Sequence, residues 1–348
     1  MTSRERLLCA MRGGTPDRVP VAPFGTARFG LASEVGQRLL RETDLLHEAG
    51  TAVNILLGHE PPIATEERGR ESVTTYHTPA GPLTRVVRRT EITSATIKFP
   101  CTGAAELEQV LAMPFQPAEV NLAPYWAEEE KVGDEGLTLI GLVTGLCWVA
   151  DLLSPMDFCL LWAEAPEVME RAVQVGTDRL CEWLQRACPA GAAAFRLIGP
   201  EYASVELGPR AYERLVVNMD SRLCAIIHQH GGLAHVHNHG PMTRYYDLLL
   251  QVGMDSLDPL EAPPWGDCDL AEAKARIGGS ICLVGNMDDM EVLGKWPRER
   301  VLARGRELLE QAGPGGFVLG GTSSGTYTEY AVENFIALRK LAEEWAEG

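Results

Sequence analysis

The 348-residue sequence contains no run of about 18 consecutive apolar residues, so no segment is expected to span a membrane. Its opening stretch, Met1 to Gly13, carries charges throughout and lacks the apolar core of a secretory leader. Positive charge is scarce: 31 Lys and Arg stand against 48 Asp and Glu, a net −17 with histidine neutral. Such a balance offers no footprint for nucleic acid and repels anionic membrane surfaces. The nine cysteines are odd in number, and no two stand in CxxC spacing. They read as reduced thiols of a cytoplasmic protein, packed as small hydrophobes rather than joined in a disulfide framework. The phosphate-binding P-loop and the HExxH zinc-protease pattern are also missing, and no GxGxxG follows the first apolar strand.

What is present is an alternation. Short apolar runs rich in Val, Ile and Leu recur between helical stretches, the pattern of a parallel sheet buried on both faces. The expected strands are Val19–Pro23, Ala52–Leu57, Leu137–Val143, Ala194–Ile198, Leu233–Asn238, Ser256–Asp258, Ile281–Val284 and Phe317–Leu319. Helices are expected at 3–12, 27–48, 103–113, 164–187, 209–230, 241–252, 269–277, 297–312 and 328–346. Eight strands, with a helix before the first, predict an α/β fold of the (β/α)8 TIM-barrel class. A doubly wound open sheet is the alternative. Residues 59–136 are too long for one crossover. Within them two β-branched runs flank Thr78-Pro79-Ala80-Gly81, which predicts a β-hairpin in an excursion covering the barrel mouth. With no flexible linker or repeat, residues 1–348 read as one domain.

The densest chemical feature is Leu233-Ala234-His235-Val236-His237-Asn238-His239-Gly240. Histidines two apart on a strand share a face, roughly 6.5–7 Å from one another. Two neighbouring imidazoles can therefore hold one metal ion, whereas the outer two are about 13 Å apart and cannot while the strand stays extended. Barrel chemistry sits at the C-terminal strand ends, which favours His237 and His239 and leaves His235 deeper as a packing or hydrogen-bonding residue. Glu201, Asp258 and Glu261 follow neighbouring strands and are the candidates for a third, carboxylate ligand. Structural or purely acid–base histidines are the competing reading. Asn286 and the glycine- and hydroxyl-rich Gly320–Gly325 follow the last two strands. Gly321–Gly325 also fits the bare pattern GxSxG, but no histidine follows Ser323 to serve as its base.

Several segments together resemble the uroporphyrinogen decarboxylase superfamily, and more closely its corrinoid-linked methyltransferase branch. They are Arg4-Glu5-Arg6, Pro16 to Val21, Thr78 to Gly81, Leu83-Thr84-Arg85, Gly199-Pro200-Glu201-Tyr202, His237 to Gly240, Asp267 to Lys274, Gly285 to Asp288 and Gly315 to Leu319. The resemblance implies a distorted (β/α)8 barrel with its pocket at the C-terminal mouth. Decarboxylases of the superfamily carry an arginine-rich segment after the first strand. Phe24 to Gly30 retains Arg28 alone there, a poor clamp for a polycarboxylate. The methyltransferase branch binds zinc through His-x-Cys and a distant Cys. His237 matches the histidine, while His239 and Ser323 stand where the cysteines would be. The resemblance therefore implies a metal-dependent methyltransferase moving a methyl group between a small O- or N-methylated substrate and a corrinoid protein. Zinc would sit on His237, His239 and Glu201, and Asp258 or Glu261 would act behind the ligands or as general base. Tyr202, Asn286 and Ser323 would line the substrate site. Cobalamin would come with a partner protein or as cosubstrate. A metal-free decarboxylase or other lyase, and a non-catalytic binding barrel, are the alternatives.

Overall fold

The computed structural model describes every residue except Ile92, Ser323, Ser324 and Gly325. Among the described residues an eight-stranded, wholly parallel sheet curls into a nearly closed barrel. Its strands are β1 (Val21–Ala22), β2 (Leu45–Ala49), β7 (Gly136–Val143), β8 (Ala194–Ile198), β9 (Leu233–Asn238), β10 (Ser256–Pro259), β11 (Cys282–Asn286) and β12 (Phe317–Gly320). The remaining strands, β3 (Ile63–Arg68), β4 (Glu71–Thr78), β5 (Gly81–Arg89) and β6 (Ser94–Lys98), make a separate antiparallel sheet. The seam between β1 and β2 is closed by backbone bonds: Leu46 N–H reaches the Pro23 carbonyl at 3.1 Å, and Asp44 N–H reaches that of Val21 at 2.9 Å. No helix among the described residues is long and apolar enough to cross a membrane.

The second barrel strand is not Ala52–Leu57. It is β2, which overlaps the end of the stretch 27–48 expected to be helical. The helix there is short, Glu34–Glu42, with Ser33 capping its start, and the chain turns extended at Thr43. The apolar run after it is held in a turn because the Asn54 side chain accepts the N–H groups of Leu56 and Leu57, both at 3.1 Å. A local side-chain acceptor of this kind competes with a strand ladder. The expected hairpin is the β4–β5 pair, extended on both sides into four strands. Thr96 of this sheet lines a cavity of about 240 Å³ together with Tyr202 and Glu206.

The barrel interior changes character along its axis. At the N-terminal end Ala22, Leu46, Leu137, Leu139, Ala194, Leu233, Cys282, Val284 and Val318 form a dry cluster with Leu7, Ala10 and Met11 of the helix Ser3–Met11. Beside it Asp44, fully buried, takes Arg18 at 2.6 Å, Arg6 at 2.9 Å and the Val21 N–H at 2.9 Å. The Arg6 and Arg18 segments therefore secure the seam. Two residues further along the strands, the side chains on the same face are Glu48, Arg196 and His235. Strand periodicity thus delivers a polar layer directly above the apolar one.

Candidate active site

Because the strands run parallel, their C-terminal ends open on one mouth, where barrel enzymes assemble their chemistry. Pairing sets Ile198 and Asp258 on either side of His237, and Arg196 and Ser256 on either side of His235. The result is one connected network. Asp258, fully buried, lies 2.8 Å from His235 Nε2, 3.1 Å from His237 Nδ1 and 3.7 Å from Arg196. His235 Nδ1 meets Ser256 Oγ at 2.9 Å, and Arg196 also donates to Glu48 at 2.8 Å. The guanidinium of Arg196 stacks 3.9 Å from the Phe24 ring centroid. Burial alone would raise the Asp258 carboxyl, but the charges of His237, His235 and Arg196 hold it well below the usual range. His235 is thus the deep hydrogen-bonding residue the strand spacing suggests.

His239 lies just past β9, half-exposed, with its ring edge-to-face against His237 at a centroid distance of 4.4 Å. Its Nδ1 is 3.0 Å from Glu261 Oε1, and the other Glu261 oxygen accepts the Gly240 N–H at 2.7 Å. Burial works to lower the His239 pKa, yet Glu261, with Asp258 and Glu201 adding their charge, raises it above the ordinary value. Glu261 moves the other way: burial would raise it, but His239 and the Gly240 N–H lower it. Two histidines are therefore each backed at Nδ1 by a carboxylate, which leaves Nε2 as the nitrogen available to a ligand.

Glu201 opens the short helix Glu201–Ser204 after β8, and its Oε2 is buried without a hydrogen-bond partner. It shares with Tyr202, His239, Gly240, Glu261 and Trp265 the walls of a cavity of about 300 Å³. Burial raises the Tyr202 hydroxyl pKa, with Cys147, Asp151 and Glu201 adding to the effect, so the phenol stays protonated at neutral pH. Gly199 places this corner. It has φ +121°, and a Cβ there would lie 2.2 Å from the Cys147 Cβ. Gly199→Ala is expected to cost about 1–3 kcal/mol and to displace Glu201, read as a lower denaturation midpoint. Asn286, at the end of β11, is buried with neither amide atom partnered. It lines a second cavity, of about 580 Å³, that shares Glu261 and Trp265 with the first. Ser323 lies outside the described residues; its neighbour Thr322 is tied to Asp289 at 3.0 Å.

The mouth therefore gathers Glu201, Tyr202, His237, His239, Asp258, Glu261 and Asn286 from four neighbouring strands. Sequence reasoning missed Arg196, Glu48 and Phe24. A signal for Arg196 alone was present in the alternation Ala194-Phe195-Arg196, which places Arg196 on the inward face with Ala194.

The donor set suits zinc in kind: two imidazoles held at Nδ1, and a buried carboxylate oxygen without a partner. It falls short in arrangement. Among the described residues no three His, Cys, Asp or Glu side chains are placed to share an ion.

The architecture and mouth define a (β/α)8 enzyme-type barrel. The model of the uroporphyrinogen decarboxylase (URO-D) family matches residues 127–345, and the chain belongs to that family. A uroporphyrinogen decarboxylase from Gloeobacter violaceus is 24% identical over 196 residues, 53% of each chain. The chain thus spans about half the length of that relative. Among solved structures, a methyltransferase from Methanosarcina mazei superposes with a TM-score of 0.61 at 16% identity, covering 99% of both chains. That likeness confirms the fold.

Proposed function

We propose that this protein is a methyltransferase that takes a methyl group from a small O- or N-methylated compound bound at the barrel mouth. The observation that carries the reading is the His239–Glu261 pair opening on a cavity of about 300 Å³ beside Glu201 and Tyr202. When a methyl group leaves oxygen or nitrogen, the bonding electron pair stays with the leaving atom, and the alkoxide, phenolate or amine so formed takes up a proton. His239, whose protonated form Glu261 favours, donates that proton from Nε2, and Glu261 holds the ring at Nδ1 before and after the transfer. His237, fixed by Asp258, packs edge-on against the His239 ring and limits its rotation. Tyr202 and Asn286 orient the substrate. A corrinoid carried by a partner protein would supply the nucleophile that receives the methyl group.

The sequence supports methyl transfer over porphyrinogen decarboxylation. Arg28, the one arginine retained where a polycarboxylate clamp would stand, is exposed and stacks on Phe29 at 5.7 Å. The test is methyl transfer from a panel of methoxylated and N-methylated compounds to cob(I)alamin, followed spectroscopically. His239→Gln is expected to slow transfer about 100-fold, within the usual range for a general acid. Carbon dioxide release with no methyl transfer would overturn the reading in favour of a lyase. Zinc on His237 and His239, with Glu201 as third ligand, belongs to the same proposal as a separate question. Metal analysis of the purified protein and of His237→Ala and His239→Ala answers it; metal content unchanged by both substitutions removes zinc from the proposal.

A further inference from the structure

The larger mouth cavity has no role in proton transfer from His239, yet it is roomier than the cavity at that acid. Its volume is about 580 Å³, and it lies between the loop Glu261–Trp265 after β10 and the segment Asn286–Trp296 after β11. Two tryptophans line it, and Trp265 is 61% exposed there, an unusual position for an indole without a partner. Three carboxylates line it as well, Glu261, Asp288 and Glu291, against one guanidinium, Arg304. Arg304 is engaged by Glu307 at 3.0 Å, and Glu291 by Lys295 at 2.6 Å. Asp288 faces no cation of this kind; it accepts the backbone N–H groups of Met290 and Glu291 at 2.9 and 2.6 Å.

A second, independent feature points to a ligand. Asn286 is 3% exposed, lines this cavity, and has neither its amide nitrogen nor its amide oxygen hydrogen-bonded. A buried amide with both ends unmade is costly unless a bound molecule completes it. Indole faces attract cations through the ring quadrupole, and methylated ammonium groups are shed from water more readily than a bare ammonium. One face of Trp296 already holds the Arg300 guanidinium, 3.5 Å from its centroid. An anion would meet the three carboxylates at close range in a partly enclosed space.

We infer that the cavity binds a small N-methylated ammonium compound, with the cation against Trp265 and the carboxylates and a polar end on Asn286. The inference rests on the methyltransferase reading and narrows its substrate to the cationic, N-methyl class. Glu261 and Trp265 also border the cavity at His239, so the bound compound would lie beside the residue that protonates the released amine.

The probes are choline and 3,3-dimethylbutan-1-ol, its uncharged isostere, titrated into the full-length protein by calorimetry without any methyl acceptor. Choline is expected to bind at least about tenfold more tightly than the neutral isostere. Trp265→Ala and Asp288→Asn should each weaken choline about tenfold. Trp265 is exposed and Asn at 288 keeps the turn acceptor, so both variants should fold; thermal melts check this. Equal affinity for the two probes, no binding of choline, or binding indifferent to both substitutions overturns the inference. Because no acceptor is present, failure here leaves methyl transfer from neutral methoxy compounds standing. Conversely, cation binding without transfer to cob(I)alamin sinks the methyltransferase reading and not the site.

Discussion

Asp258→Ala is expected to destabilise the protein by about 3–5 kcal/mol, read as a lower denaturation midpoint at unchanged slope. Asp258 is fully buried and is the one carboxylate facing His235, His237 and Arg196 at once. Removing it leaves a guanidinium that is 7% exposed with Glu48 as its remaining anionic contact, and two buried imidazoles without their carboxylate. An uncompensated buried charge costs far more than the net worth of the pair that held it. Asp258→Asn keeps the volume and one acceptor and should cost less. Replacing Arg196 by Met in the Asp258→Ala background should recover part of the loss, since the stranded cation goes with its partner. The acid limb should change too. A carboxyl held below its unfolded value of about 4 stabilises the fold above that pH, and this contribution is lost as pH falls further. Wild type should therefore lose stability faster than Asp258→Asn below about pH 4. Activity should fall in both variants, because His237 Nδ1 loses the carboxylate that fixes its ring.

Much of this network was legible in the sequence, for identifiable reasons. The His-x-His-x-His spacing on a strand bounded by Gly232 and Gly240 forces one inward face. The structure duly stacks His235 and His237 over the same carboxylate, with His239 beyond them at the rim. Strand-end carboxylates could be placed because parallel strands share a mouth. The errors have local causes. Ala52–Leu57 has the composition of a buried strand, but Asn54 captures two backbone N–H groups and turns it. Leu45–Ala49 carries two polar residues in five, yet its backbone closes the barrel against β7, and Glu48 is wanted inside as a partner for Arg196. A long-range ion pair between residues 148 apart leaves no periodic trace. Nor could spacing reveal that His237 and His239 would each spend Nδ1 on a carboxylate.

Asp220→Asn is expected to flatten the pH dependence of stability and to raise the melting temperature at pH 8. Asp220 sits on the helix Asn218–Gln229, fully buried, and neither carboxyl oxygen has a hydrogen-bond partner. Its neighbours include Tyr212, Cys181 and Cys224, whose own ionisation it opposes. Burial pushes its pKa up to about 8, so the folded protein carries this carboxyl as the neutral acid at neutral pH. The unfolded chain releases that proton near pH 4. Between about pH 4 and about 8 the folded state therefore binds one proton more than the unfolded state, and stability falls as pH rises, by about 1.4 kcal/mol per unit at most. At lower pH both states hold the proton; at higher pH both have lost it, and the penalty is complete. Asparagine cannot ionise, so the difference in unfolding free energy between pH 5 and pH 8 should shrink by about 3–4 kcal/mol in the variant. Denaturant titrations of both proteins at the two pH values measure it. Equal pH dependence would mean that water or a neighbouring donor reaches the carboxylate. The consequence extends to the mouth, because Tyr212, beside Asp220, donates its hydroxyl to Asn238 at 3.2 Å, and Asn238 in turn holds the His239 carbonyl at 2.9 Å. Ionising Asp220 at high pH would load the helix layer directly behind His239, and the asparagine variant separates that strain from the titration of His239 itself.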